Sequence, residues 1–289
     1  MLHSPGMRLV RGITAVVTLL LVPLLVMTTS PAAVADPAWA PAGAATIHPG
    51  VQTFSLPPGG NQCTANFIFA DGTEVYIGQA AHCSGTGGNT ATDGCTSPSL
   101  PLGSQVKVEG ASRPGVMVYN SWLTMQALNE TDSDTCRFND LALVRVDPAD
   151  VARVNPSIPF WGGPMGLNSA GTTLGQFVYS YGNSELRLGI SQLSPKKGIS
   201  LGDAGSGWSH NVSTVTPGVP GDSGSCFLDT AGNALGVVST LNVGLPGGVF
   251  NGIGDLSREL AYMHAHTSLT GVHLVLGDVP FNGNRLPVG

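Results

Sequence analysis

Forty glycines and twenty-one prolines run through a chain of 289 residues, and this sets the tightest limit on what it can fold into. Glycine weakens helices through its entropy and proline through its missing N–H, and both favour tight turns. Only 10% of residues are Asp, Glu, Lys or Arg. Short apolar segments joined by turns therefore fit better than long amphipathic helices, and the expectation is an all-β barrel or sandwich. The formal charge of −6 comes with scattered Lys and Arg. That leaves no basic stripe and argues against a nucleic-acid partner.

The N-terminus reads as a targeting segment. Arg8 and Arg11 precede an apolar run over residues 12–27, interrupted by Pro23, and Ala33-Val34-Ala35 supplies a small-residue cleavage site. A signal peptide over 1–35 is expected, hence a secreted, extracellular chain that is not membrane-embedded. A retained anchor is the weaker reading, because of Pro31 and the small-residue site. The five cysteines, Cys63, Cys83, Cys95, Cys136 and Cys226, agree with export: four can form two bridges and one is left over. They form no CxxC pair and the seven histidines do not cluster with them, so neither a metal nor a cofactor is expected.

Residues 36–61 are rich in Ala, Pro and Gly and read as an extended lead-in, with the folded domain over 62–289. Strand-like segments recur at 65–70 and 74–79, flanking the Asp71-Gly72 hairpin signal, then at 106–109, 116–122 and 141–146. Others follow at 176–181, 185–193, 212–215, 226–228 and 234–240. One helix is expected over 257–266, and residues 271–289 read as a short strand and an irregular tail.

Three segments carry chemistry. Gly221-Asp222-Ser223-Gly224 places a hydroxyl where glycines permit a tight turn and converging backbone N–H groups. Gln79-Ala80-Ala81-His82-Cys83 places an imidazole at a strand end, and histidine has the pKa that a general base for serine needs. Asp140 opens the apolar run Leu141-Ala142-Leu143-Val144, where a carboxylate needs a partner. Each alone also reads as an ordinary turn or strand-end residue.

Taken together and in order, these segments resemble the T-A-A-H-C, D-I-A-L and G-D-S-G motifs of the chymotrypsin/trypsin family, with Gln79 for Thr and Leu141 for Ile. The likeness points to secreted bacterial members. It implies two six-stranded antiparallel β-barrels with a C-terminal helix and an active site between the barrels. His82, Asp140 and Ser223 are then the catalytic residues, and the N–H groups of Gly221 and Ser223 the oxyanion hole. It further implies bridges Cys63–Cys83 and Cys95–Cys136, a free buried Cys226, and Arg187 as partner of Asp222. No I-V-G-G start stands near residue 36, so activity without N-terminal processing is expected.

The substrate walls implied are Pro217 and Gly218 on one side and Ser239, Thr240 and Leu241 on the other. Pro217 stands where a carboxylate would select Lys or Arg, so an uncharged P1 side chain is expected. The resulting expectation is a monomeric serine endopeptidase acting on protein or peptide substrates. The alternatives are an esterase with the same triad, and a silent binding or toxin-like module on the fold.

Overall fold

The computed structural model describes residues 1–3, 6, 35–55, 61–88, 92–243 and 248–288. The expected signal segment therefore lies almost wholly outside the described residues. Among the described residues, no helix is long and apolar enough to cross a membrane.

Turns and bends divide the first half into β1 (Gln52–Ser55), β2 (Gln62–Thr64), β3 (Ile68–Asp71), β4 (Glu74–Ala80), β5 (Gln105–Val108), β6 (Gly115–Asn120) and β7 (Leu141–Arg145). They form one antiparallel sheet in the order β3-β4-β7-β6-β5-β1-β2. β2 is at one end of the sheet and β3 at the other, yet only residues 65–67 separate them. The sheet must therefore curl until its ends meet. The Asn66 N–H donates to the Gly78 carbonyl (2.8 Å) and the Ala65 N–H to Val51 (2.9 Å), which fixes the bend. With β2 and β3 taken as one bent strand, this half-barrel has six members, the number the resemblance implied.

The second half contributes β8 (Phe177–Tyr181), β9 (Pro195–Ala204), β10 (Ser209–Thr214), β11 (Cys226–Leu228), β12 (Ala234–Val243) and β13 (Val249–Asp255). These close into a barrel in the order β10-β13-β12-β11-β8-β9, with β9 pairing back onto β10. A last strand, β14 (His273–Leu274), returns to the first half and pairs with β3.

Three apolar clusters hold the fold. The first barrel is filled by residues such as Ile68, Ile77, Val106, Met117 and Val144. The second has a smaller interior of Val178, Val212, Phe227, Leu235, Val238 and Ile253. Between them, Phe67, Tyr119, Trp161, Tyr179, Leu228 and Leu260 belong to one continuous cluster. Trp161 is 1% exposed and donates its indole N–H to the Ser180 carbonyl at 2.7 Å. Burying a side chain of that size contributes about 3 kcal/mol, so this cluster fixes one barrel against the other.

Several expectations change. The segment 116–122 is not one strand: it ends at Asn120, whose side-chain oxygen accepts from the Trp122 and Leu123 N–H groups and starts α1 (Ser121–Leu128). Asp132 caps α2 (Ser133–Phe138) in the same way through Thr135. The expected strand at 185–193 is instead two short 3-10 turns, Glu185–Arg187 and Ser191–Leu193, and the strand follows as β9. Within the segment read as a lead-in, Gln52–Ser55 is β1 and pairs with both β2 and β5. The C-terminal helix is present as α3 (Leu256–His266), capped by Asp255 through the Arg258 N–H.

Candidate active site

The β4–β7 register, Ala80 opposite Leu141, places the two residues beyond it side by side. The Ala81 N–H donates to the Asp140 carbonyl at 2.9 Å, and the His82 N–H to Asp140 Oδ1 at 2.8 Å. His82 Nδ1 lies 2.7 Å from Asp140 Oδ2. A carboxylate only accepts, so Nδ1 carries the proton and Nε2 keeps its lone pair. Burial alone would lower the imidazole pKa, but the charge and hydrogen bond of Asp140 outweigh it and leave the pKa raised. Nε2 makes no hydrogen bond among the described residues, and the ring is 21% exposed.

Asp140 is 3% exposed and held from three further directions. The Ser239 hydroxyl donates to Oδ2 at 2.6 Å. The Asp140 N–H donates to Glu259 Oε1 at 2.9 Å, and Ser121 Oγ bridges the Leu141 N–H and the Asn139 carbonyl. Glu259 is fully buried on the apolar face of α3. Burial pushes its carboxyl well above the usual range, and its Oε1 meets the Asp140 N–H from behind.

Ser223 lies between β2 and β12. Its carbonyl accepts from the Thr64 N–H at 2.8 Å, while the next N–H, of Gly224, donates to Val238 at 2.8 Å. Gly224 has φ +83°, and a Cβ there would lie 2.8 Å from the Ala80 N and 2.7 Å from the Thr64 carbonyl oxygen. Only glycine lets the serine turn press this closely onto the strand end that carries His82. The N–H groups of Asp222, Gly224 and Ser225 are all engaged. Those of Gly221 and Ser223 donate to nothing among the described residues, and neither does the Ser223 hydroxyl. Ser223 is half-buried at the rim.

Beneath this turn, Asp222 is fully buried and multiply paired. Its Oδ2 lies 2.5 Å from Arg187 Nη2 and 3.2 Å from Lys196 Nζ. The Ser184 and Val219 N–H groups each donate to the carboxylate at 3.1 Å. Arg187 is the partner named from sequence, and Lys196 was not foreseen. Lys196 is 1% exposed. Burial, with the Arg187 charge adding to it and Asp222 opposing it, lowers its pKa to about 8.

Two of the residues expected as substrate walls, Gly218 and Thr240, are joined by Asn251, a residue the sequence reading missed. Asn251 accepts from the Gly218 N–H at 2.8 Å and donates to the Thr240 carbonyl at 3.1 Å, so it clamps the two walls together. The Pro217 carbonyl accepts from Arg187, and Leu241 is 45% exposed at the edge. The Ser239 side chain is turned to Asp140. Both implied disulfides are formed. Cys63–Cys83 ties β2 to the turn bearing His82, and Cys95–Cys136 ties the loop after that turn to α2, just before Asp140. Cys226 is buried and unbridged, its thiol pushed up to about 12 by desolvation.

The architecture is similar to that of protease A from Thermobifida fusca, at 18% identity and a TM-score of 0.50, over 80% of this chain and 99% of that one. A Nocardiopsis protease (17% identity, TM-score 0.47) matches over 83% of this chain and 99% of its own. A Cellulomonas bogoriensis chymotrypsin (15% identity, TM-score 0.47) matches over 79% and 98%. No protein-family model matches the chain, and no curated protein sequence matches it. The fold is thus the double β-barrel of chymotrypsin-like serine proteases.

Proposed function

We propose that this chain is a secreted serine endopeptidase, with Ser223 as nucleophile, His82 as general base and Asp140 as the carboxylate that orients it. The observation that carries this reading is the His82–Asp140 pair at the end of β4, with Gly224 of the serine turn pressed against Ala80 of that strand and the N–H groups of Gly221 and Ser223 unengaged among the described residues. In the proposed reaction, Ser223 Oγ attacks the scissile carbonyl carbon while its proton passes to His82 Nε2. The developing oxyanion accepts hydrogen bonds from Gly221 and Ser223, each contributing about 3 kcal/mol. His82 returns the proton to the leaving amine, and water then releases the acyl group by the same steps in reverse.

Asp140 accepts both Nδ1–H and the His82 backbone N–H, which fixes tautomer and ring together. The pairing of Asp222 with Arg187 and Lys196 supports activity without release of a new N-terminus, because the carboxylate already has internal cations. The absence of a carboxylate at Pro217 supports an uncharged P1 side chain between Gly218 and Thr240. The signal-like 1–35 segment and the two disulfides support export, and the chain is taken to act as a monomer. The test is fluorophosphonate labelling, with a mixed peptide library run on wild type and Ser223→Ala. The reading requires a Ser223 adduct, cleavage after uncharged residues, and a loss in turnover of roughly 10⁵-fold or more in the variant. Ester turnover without peptide cleavage would replace it with an esterase, and no adduct at all would end it.

A further inference from the structure

Ser223 is flanked by β12 through Gly224 and Val238, and by β2 through Thr64. The acyl-side walls, Gly218 and Thr240, lie on the β12 side, so the leaving half of a substrate departs over β2. On that side Gln62 Nε2 spans the Gly221 carbonyl (3.1 Å) and the Asn183 carbonyl (3.2 Å). Asn183 lines a cavity of about 330 Å³ together with Thr46, His48, Val51, Glu109 and Tyr181. One glutamine side chain therefore separates the oxyanion backbone from the cavity rim. The two carbonyls are thus at most about 6 Å apart, within roughly two residues of extended peptide.

The cavity wall carries one carboxylate, Glu109. Glu109 Oε2 takes the Gln52 N–H at 3.0 Å and the Asn183 amide at 3.4 Å, which pins the carboxylate. Its Oε1 has no partner among the described residues. His48 Nδ1 donates to its neighbour's carbonyl, Pro49 O, at 2.8 Å, so the ring on the cavity wall is held by its own backbone. Tyr181 and Val51 supply apolar surface beside these groups. No Lys or Arg lines the cavity, and Lys107, two residues before Glu109, lies over the Phe54 ring instead. One carboxylate with a free oxygen beside an apolar flank matches a long aliphatic stem that ends in a cation.

We propose that this cavity is a leaving-group subsite that takes a lysine or arginine side chain two or three residues beyond the scissile bond, with Glu109 as the selecting residue. The inference rests on the protease reading. It is tested with quenched-fluorescence peptides that share one acyl half and carry Lys, Arg, Gln or Glu at the second and third leaving-side positions. Wild type, Glu109→Gln and Glu109→Lys are compared, and the melting temperature of each is checked. The wild type should favour Lys or Arg over Gln by roughly three- to five-fold in kcat/KM, the range of a solvent-facing ion pair. The preference should weaken as salt is raised. It should vanish in Glu109→Gln and turn toward Glu in Glu109→Lys. Cleavage with no basic preference, or a preference that survives in both variants, overturns the subsite and leaves the protease reading standing. Failure to cleave any of the peptides overturns both.

Discussion

The first barrel is packed with apolar side chains and tied by two disulfides, whereas the second encloses a smaller apolar cluster and two buried ionic groups. One group is Asp222 with Arg187 and Lys196. The other is His210, fully buried, with Nδ1 2.7 Å from Asp203 and Nε2 2.9 Å from Asp255. The first barrel also buries carboxylates, Asp140 beside His82 and Asp150, the latter met mainly by the Ser112 and Arg113 N–H groups. Covalent ties act chiefly on the unfolded chain and ignore pH, whereas buried charges depend on protonation and on every partner being present. The cleft lies between the two kinds of support: His82 is fixed by the bridged half and Ser223 by the charged half.

The sharpest way to break this contrast is to remove one charge. Arg187→Met leaves Asp222 with Lys196 alone and should cost about 4 kcal/mol, read from the urea midpoint, with activity falling further because the Gly221–Ser223 turn loses its anchor. A cost below 1 kcal/mol would show that the second barrel does not depend on the cluster. Next in size, Cys63→Ala with Cys83→Ala opens a bridge of sequence separation 20 and should cost about 3 kcal/mol, by the same amount at pH 6 and pH 8. A pH-dependent loss would erase the distinction.

The smallest effect concerns His210. Burial opposes its charge, but the hydrogen bonds to Asp255 and Asp203 prevail and raise its pKa. The native state thus holds a proton that the unfolded state releases near 6.5, so this stability is full below that value and is lost as pH rises through the folded pKa. His82 adds a slope of the same sign, and Lys196, shifted the other way, acts above about pH 8. The comparison is therefore wild type against Asp203→Asn between pH 6 and pH 8. The variant should lose about 3 °C less of its melting temperature over that range. Equal slopes would remove His210 as a pH-dependent support.

Much of the site was legible because its chemistry is local. Asp71-Gly72 announces the turn into β4, the strand that ends at His82, and Asp140 opens β7 beside it. The pairing of Asp222 with Arg187 was also within reach, although the surrounding strand assignment was wrong. Lys196 was not, since a lysine at the start of a strand is ordinarily solvated and only the tertiary fold buries it. The α1 helix was hidden because the strand character of Val-Met-Val-Tyr before Asn120 carries on in composition to Trp122; the asparagine cap is the signal that separates them. Glu259 left a clearer trace, an acid on the same helical face as Leu256, Leu260 and Met263. Asn251 left none, because its Gly218 contact comes from a loop 33 residues away and its Thr240 contact only from the pairing of β13 with β12.

The pairing of β14 with β3 has a consequence for how the molecule is made. Residues 273–274 leave the ribosome after both barrels, so the outer edge of β3 carries unsatisfied N–H and C=O groups throughout synthesis of the rest of the chain. The half of the molecule made first is thus the last to have its edge covered, and during that interval β3 is the edge on which a neighbouring nascent chain can add a strand.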